Sequence, residues 1–223
     1  RGKALLAGGQ SIDAANVLLV ALNAATGGWD EIYYYLALAY EAVGDNASAD
    51  TCYTQIITSY SDSGFVTSAW YGRAELADSL GNDATQIYQD FASTYPNSSS
   101  APEALWLSAE ILQEADRWYD AALVYQTLRL TYSTDSGASE ALFQQGLCLY
   151  VDGQYELARD MWASLLETQT SADDRARTLT WLGKVYQQLG DTDLAQLYWA
   201  HAVAEDPERS EEHTSELQSR QSI

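Results

Sequence analysis

Six alanines recur along this chain at successive separations of 35, 35, 37, 37 and 37 residues. They are Ala14, Ala49, Ala84, Ala121, Ala158 and Ala195. Four positions after them come large residues, in the order Leu18, Tyr53, Tyr88, Tyr125, Trp162 and Trp199. Twelve positions before them come small residues, in the order Gly2, Ala37, Gly72, Ala109, Gly146 and Gly183. A fixed period in the thirties predicts an array of stacked helix pairs.

Small residues at two fixed positions indicate that the helices of each pair pack closely. Packed helices lie roughly 8–10 Å apart, depending on the side chains where they cross. The large residue lies one turn further along the same face, where it is predicted to fill the gap towards the next pair. Because stacking buries the apolar face of each pair, we predict an all-α fold, an α-solenoid of about six antiparallel helix pairs.

Local signals divide the chain into twelve predicted helices. They are placed near residues 3–7, 11–25, 30–43, 46–59, 66–80, 83–94, 102–115, 118–130, 139–151, 155–168, 173–189 and 192–204. Gly44, Gly81, Gly153 and Gly190 are each predicted to end a first helix in the left-handed conformation. In the Ala121 copy, Asp116 stands where this turn glycine is expected.

The last copy resembles the tetratricopeptide repeat. The residues that match the pattern of that family are Leu182, Gly183, Tyr186, Gly190, Ala195, Trp199, Ala202 and Pro207. The resemblance covers nearly all of residues 1–208 and implies a right-handed solenoid whose first helices line a concave groove. It also implies that outward positions of the first helices carry specificity. The candidate groove residues are Tyr34, Arg73, Trp106, Glu110, Phe143, Tyr150 and Lys184, together with Glu31, Gln113 and Arg177. The alternative is that several of them pack against adjacent first helices.

Two functions are implied by resemblance. Residues 175–207 resemble the superhelical, non-catalytic region of bacterial soluble lytic transglycosylases, whose helical region positions peptidoglycan. The groove would then hold a glycan strand, and the protein would lie in the cell envelope; no catalytic residue of that family matches this chain. The alternative follows from residues 95–106, which resemble repeats of periplasmic scaffolds: a non-enzymatic scaffold that binds a protein or peptide partner.

Composition argues against several other classes of function. The chain has 11 basic and 32 acidic residues, for a net charge of −21, which repels phosphate backbones and anionic membrane surfaces. No apolar run is long enough to cross a membrane. Cys52 and Cys148 lie in different repeats and are predicted to be buried free thiols. We expect no metal, cofactor or catalytic residue, since no Cys/His cluster or catalytic motif occurs.

The end of the sequence departs from the repeat. Residues 209–219 read RSEEHTSELQS, which resembles the translation of a short sequencing adapter. We therefore predict a repeat region at residues 1–208 and a non-native tail at residues 209–223. On this interpretation the repeat region is a fragment of a longer protein.

Overall fold

The computed structural model describes residues 1–134 and 137–205, and in these residues the fold is all-α. The described part contains twelve helices and no strand, so the predicted fold class is confirmed. The helices are α1 Gly2–Ala7, α2 Ser11–Ala24, α3 Trp29–Val43, α4 Asn46–Ser59, α5 Val66–Ser79, α6 Thr85–Thr94, α7 Ala101–Glu114, α8 Trp118–Thr131, α9 Ala138–Val151, α10 Tyr155–Thr168, α11 Ala172–Gln188 and α12 Thr192–Glu205.

The start of α6 differs most from its predicted position. The sequence predicts a helix from Asp83, whereas α6 begins at Thr85. The Asp83 carboxylate accepts hydrogen bonds from the backbone N–H of Thr85, at 2.9 Å, and from its hydroxyl. An aspartate that bonds the backbone two residues on forms a turn, and this turn displaces the helix start.

The chain divides into two compact units, Arg1–Ser108 and Ala109–Ile223. In the first unit, each helix from α1 to α5 packs against the next helix in the chain. In the second unit, α8 to α12 do the same. The Tyr125 hydroxyl of α8 also donates to the Gln113 side chain of α7, at 3.2 Å. Both units are therefore built from helix pairs of consecutive sequence.

The six repeat alanines occupy the cores of these pairs. Each is at most 1% exposed, and the six small residues that precede them are also buried. The close crossing predicted from the alanine spacing is thus confirmed. Four of the six large residues have indole or phenol groups that are buried as well: Tyr53, Tyr88, Tyr125 and Trp162.

Three of the large residues, Leu18, Trp162 and Trp199, pack on the small residue of their own pair, a contact that the sequence did not predict. A Cβ added at Gly146 would lie 2.5 Å from Nε1 of Trp162, and one at Gly2 would lie 2.6 Å from Cγ of Leu18. Tyr53 instead reaches the next pair, because a Cβ at Gly72 would lie 2.5 Å from its Cζ. These glycines therefore leave room for a neighbouring side chain.

Trp162 and Trp199, the two tryptophans among the large residues, form equivalent hydrogen bonds. Nε1 of Trp162 donates to the carbonyl of Phe143 at 3.2 Å, and Nε1 of Trp199 donates to the carbonyl of Thr180 at 3.1 Å. Both acceptors lie three residues before the glycine on which the indole packs. Because a buried indole N–H needs a partner, this bond fixes the ring against the first helix.

The six first helices end in one repeated turn. In each, a residue with positive φ donates its N–H to the carbonyl three residues earlier, and the next residue donates to the carbonyl five residues earlier. The positive-φ residues are Gly9, Gly44, Gly81, Asp116, Gly153 and Gly190. This pair of bonds satisfies carbonyls that a helix end leaves free. The glycine prediction is confirmed, and Asp116 adopts the same conformation, with φ of 56°.

We expect Asp116→Gly to stabilise the protein by about 0.5 kcal/mol, because a left-handed backbone costs an L residue more than it costs glycine. Asp152 is the matched control, since it precedes Gly153 with φ of −70°, and Asp152→Gly should destabilise by about 0.5 kcal/mol. Urea unfolding followed by circular dichroism measures both. The same sign of change at the two positions would contradict the assignment of Asp116 to a strained turn.

Other predictions stand as follows. Cys52 and Cys148 are free and buried, as predicted, and burial raises the pKa of each thiol to about 11. None of the helices that the structure describes is long and apolar enough to cross a membrane. The predicted non-native tail at residues 209–223 lies outside the described residues.

Candidate functional site

The first helix of each pair carries the predicted groove residues, and we call its partly exposed surface the first-helix face. In the first unit, Tyr34 of α3 lies on this face. Its ring stacks on Phe65 at 5.0 Å between centroids and lies 6.5 Å from the ring of Tyr53. Beside it, Lys3 of α1 forms an ion pair with Glu31 of α3 and lies 4.5 Å from the ring of Tyr35. The Tyr34 ring is therefore packed between α3 and the residues Tyr53 and Phe65.

Arg73 and Trp106 are the other predicted residues of the first unit. Arg73 of α5 forms an ion pair with Asp50 of α4, at 2.7 Å between Nε and Oδ1. Trp106 lies in α7 and is half-buried. Its indole therefore remains partly accessible at this face.

In the second unit, aromatic rings connect α9 with α11. The ring of Tyr150 lies 5.4 Å from Trp181 and 6.2 Å from Trp162. Lys184 places its ammonium 3.9 Å from the centroid of Trp181, a cation–π contact. The sequence predicted Tyr150 and Lys184 for this face but missed Trp181, which lies between them.

Phe143 is only 4% exposed. The guanidinium of Arg177 lies 3.8 Å above its ring, and the same guanidinium pairs with the carboxylate of Glu140, at 2.5 Å from Nη2 to Oε2. A partner at this position would therefore meet Arg177 and Glu140 instead of the Phe143 ring. The packing alternative describes the surroundings of Phe143 better than the groove prediction does.

Glu110 and Gln113 lie on α7 in the second unit. Glu110 is exposed. Gln113 accepts from the Tyr125 hydroxyl and donates to Sγ of Cys148 at 3.1 Å. Gln113 thus joins α7, α8 and α9, and its amide group is committed to packing within the unit.

One set of polar groups in the first unit was not found by sequence reasoning. Tyr53 extends its hydroxyl to Glu41 of α3, twelve residues earlier. Burial raises the pKa of Glu41, the hydrogen bond from Tyr53 lowers it, and the charge of Glu75 on α5 raises it further. The same twelve-residue spacing joins Tyr125 to Gln113. The sequence signal for both interactions is a tyrosine four residues after the repeat alanine, with a polar residue twelve positions before that tyrosine.

The first-helix face offers aromatic and charged contacts. Among the described residues, no group of three or more His, Cys, Asp and Glu side chains is arranged to hold a metal ion. What the face presents is half-buried rings and charged side chains on rigid helices. These groups suit the holding of another molecule by packing and hydrogen bonding.

Family comparisons find repeats in three segments. One tetratricopeptide-repeat model matches residues 31–63 and 140–169, and a second matches residues 176–209. These segments contain three of the six repeat alanines, Ala49, Ala158 and Ala195. No curated protein matches the chain in sequence.

Solved structures of helical-repeat proteins align with most of the chain. YrrB, described as a TPR protein with an unusual peptide-binding site, is 16% identical and aligns with a TM-score of 0.56 over 93% of this chain and 99% of its own. MamA is 16% identical, with a TM-score of 0.54 over 82% and 94%. BtubC from P. vanneervenii is 18% identical, with a TM-score of 0.51 over 94% and 92%. The chain therefore contains a tetratricopeptide-like helical repeat region.

Proposed function

We propose that this protein is an interaction scaffold that holds a segment of a partner protein against its first-helix face. The observation that carries the proposal is the placement of partly exposed aromatic and charged side chains on successive first helices of the second unit, Tyr150 on α9 and Lys184 on α11. Large aromatic residues are common anchors in protein interfaces. The likeness to YrrB, whose description includes a peptide-binding site, supports the same class of function.

Rigid helices suit this task energetically. The side chains of the face are held by contacts within the unit, as Tyr150 is by Trp162 and Trp181. Because these rings are ordered before a partner arrives, less conformational entropy is lost on binding. The scaffold therefore needs no catalytic group to act.

The test is a selection of 12-residue peptides from a displayed library on the full chain, followed by fluorescence anisotropy. For peptides bound to the second unit, Tyr150→Ala should weaken binding about tenfold, as expected for an aromatic anchor. Tyr119→Ala is the matched control, since Tyr119 is an exposed tyrosine on the second helix α8, and it should change affinity less than about twofold. Failure to select any binder, or loss of binding through Tyr119 alone, would contradict the proposal.

A narrower hypothesis remains from the sequence: that the region belongs to a bacterial soluble lytic transglycosylase and supports a peptidoglycan glycan strand in the cell envelope. Its support is the resemblance of residues 175–207. Co-sedimentation of the chain with purified peptidoglycan tests it directly. Saturable binding is the expected result, and no binding at low salt would contradict the glycan-strand hypothesis.

A further inference from the structure

The outward side of the second helix α2 is apolar and exposed. Ile12, Leu19 and Val20 are 69%, 37% and 70% exposed. On the opposite side of the same helix, Ala14 and Leu18 are buried in the core of the first unit. A helix that is apolar on all sides is normally covered on all sides. The outward side of α2 therefore has the character of a contact surface.

The positions of Ile12 and Val20 point outward in every copy of the repeat. At the position of Ile12, the other five copies have exposed residues, Ala47, Asn82, Tyr119, Glu156 and Asp193. At the position of Val20, the other copies have a half-buried Gln55 and the exposed Asp90, Thr127, Ser164 and His201. A neighbouring helix pair therefore does not cover these positions, and only the α2 copy has large apolar side chains at both.

The surface around α2 is uncharged although the protein is strongly acidic. The helix has one charged side chain, Asp13, in its first turn. The next second helix, α4, packs against α3 as α2 does, and its outward positions hold the uncharged residues Ala47, Thr51, Thr54, Gln55 and Thr58. Its one charged residue, Asp50, is paired with Arg73. Two chains with a net charge of −21 repel each other, and this repulsion is weakest where both surfaces are uncharged.

The second helix α8 also exposes large apolar side chains, but its surroundings are acidic. The exposed residues are Tyr119, Leu123 and Leu130. At the same positions, the next second helix α10 has the exposed acids Glu156, Asp160 and Glu167. Contact between two copies at α8 would bring these acidic rows together, and like charges in an interface are unfavourable. Charge therefore favours α2 over α8 as a contact between copies.

We propose that α2 is the contact surface between two copies of this chain, packed antiparallel about a two-fold axis. Ile12, Asn16 and Val20 are spaced four residues apart and form one row along the helix. When such rows of two helices interdigitate, the helices cross at about −50°, which is the commonest packing class. An axis at Asn16 places Ile12 of each copy against Val20 of the other. The inference goes beyond the proposed function, because it leaves the first-helix face free.

Asn16 specifies the register of this contact. Two asparagine amides that meet at the axis each have a donor and an acceptor for the other. A single asparagine within an apolar helix contact is known to fix register and the number of chains. The contact is only one helix wide, so we expect a weak dimer with a dissociation constant of roughly 10–100 µM.

Sedimentation velocity of the full chain at about 1–300 µM tests the proposal, and the monomer should convert to a dimer over this range. Val20→Glu should weaken dimerisation at least about tenfold, because it places a carboxylate against Ile12 of the second copy. The matched control is Leu130→Glu, which makes the same charge change at a residue of α8 that is 63% exposed. It should weaken dimerisation less than about twofold, since distant exposed charges are screened. Circular dichroism checks that both variants fold.

Disulfide cross-linking tests the register separately. Asn16→Cys should form a cross-linked dimer under mild oxidation, because the two copies of this residue meet at the axis within the Cα separation that a disulfide needs. Asn23→Cys is the control on the same helix. It lies about 10 Å further along each helix, so its two copies are roughly 20 Å apart and should not cross-link. The native thiols Cys52 and Cys148 are buried and should not react. Equal cross-linking of the two variants would overturn the register.

The remaining outcomes separate this inference from the proposed function. A monomer at every concentration overturns the inference and leaves the scaffold function standing. If the chain is monomeric and selected peptides lose affinity in Val20→Glu, α2 takes a partner protein and the assignment to a second copy is wrong. A dimer that is lost in Leu130→Glu but kept in Val20→Glu would assign the contact to α8 instead. If the chain dimerises through α2 but no peptide is selected, the scaffold function fails and this inference stands.

Discussion

Ala158→Trp is expected to destabilise the protein by about 3 kcal/mol. Ala158 of α10 is 0% exposed, and α10 packs against α9, so an indole at this position would have to displace its neighbours. Added volume in a packed core forces side chains out of their rotamers and separates the helices. Urea unfolding followed by circular dichroism measures the change.

Ala163 is the matched control for this substitution. It lies in the same helix, α10, but is exposed, so Ala163→Trp should change the free energy of unfolding by less than about 0.5 kcal/mol. Both variants carry the same helix-propensity change, and only the location differs. Similar stabilities for the two variants would show that Ala158 does not lie at a close helix crossing.

The second large effect concerns the contact of Gly146 with Trp162. Gly146→Ala should destabilise by about 2 kcal/mol, because the new Cβ would lie 2.5 Å from Nε1 of Trp162. The figure of about 2 kcal/mol is a net loss. It already allows for the stabilisation of about 1 kcal/mol that alanine brings over glycine inside a helix. Gly27→Ala is the control, since a Cβ there would meet nothing within 4 Å, and it should cause no loss.

A double-mutant cycle identifies the cause of the loss. Where the small residue is Ala37 or Ala109, the chain itself uses Tyr53 or Tyr125 at the large position. Adding Trp162→Tyr to Gly146→Ala should therefore restore a combination that the fold already accepts. We expect the double variant to be more stable than the sum of the single effects by at least about 1 kcal/mol. Strict additivity would show that the indole does not set the cost.

Much of the fold could be predicted because the repeat encodes it locally. The small residues mark helix crossings, and the turn glycines mark helix ends, so α4 and α10 begin and end at the predicted residues. Asp116 adopts the left-handed turn without being glycine, because the same two backbone hydrogen bonds hold it there. The start of α6 was placed two residues early, since the bond from Asp83 to Thr85 is a side-chain effect that periodicity does not contain.

The candidate site could be predicted less completely. The repeat register shows which residues lie on the first helices, but it does not show which residue each side chain contacts. Arg73 pairs with Asp50 on α4 although Glu75 is only two residues away on its own helix. Phe143 of α9 lies beneath Arg177 of α11, 34 positions later in the sequence. Such contacts depend on packing between helices that are distant in sequence.

Hydrogen exchange of the full chain, with and without a selected peptide, tests most directly whether partners bind to the first helices. We expect slower exchange in the first helices of the unit that the peptide occupies, α3 and α5 in the first unit or α9 and α11 in the second. The second helices α2, α4 and α6 should exchange as in the free protein. Protection confined to these second helices, with none in α3 or α5, would contradict the assignment of the binding face.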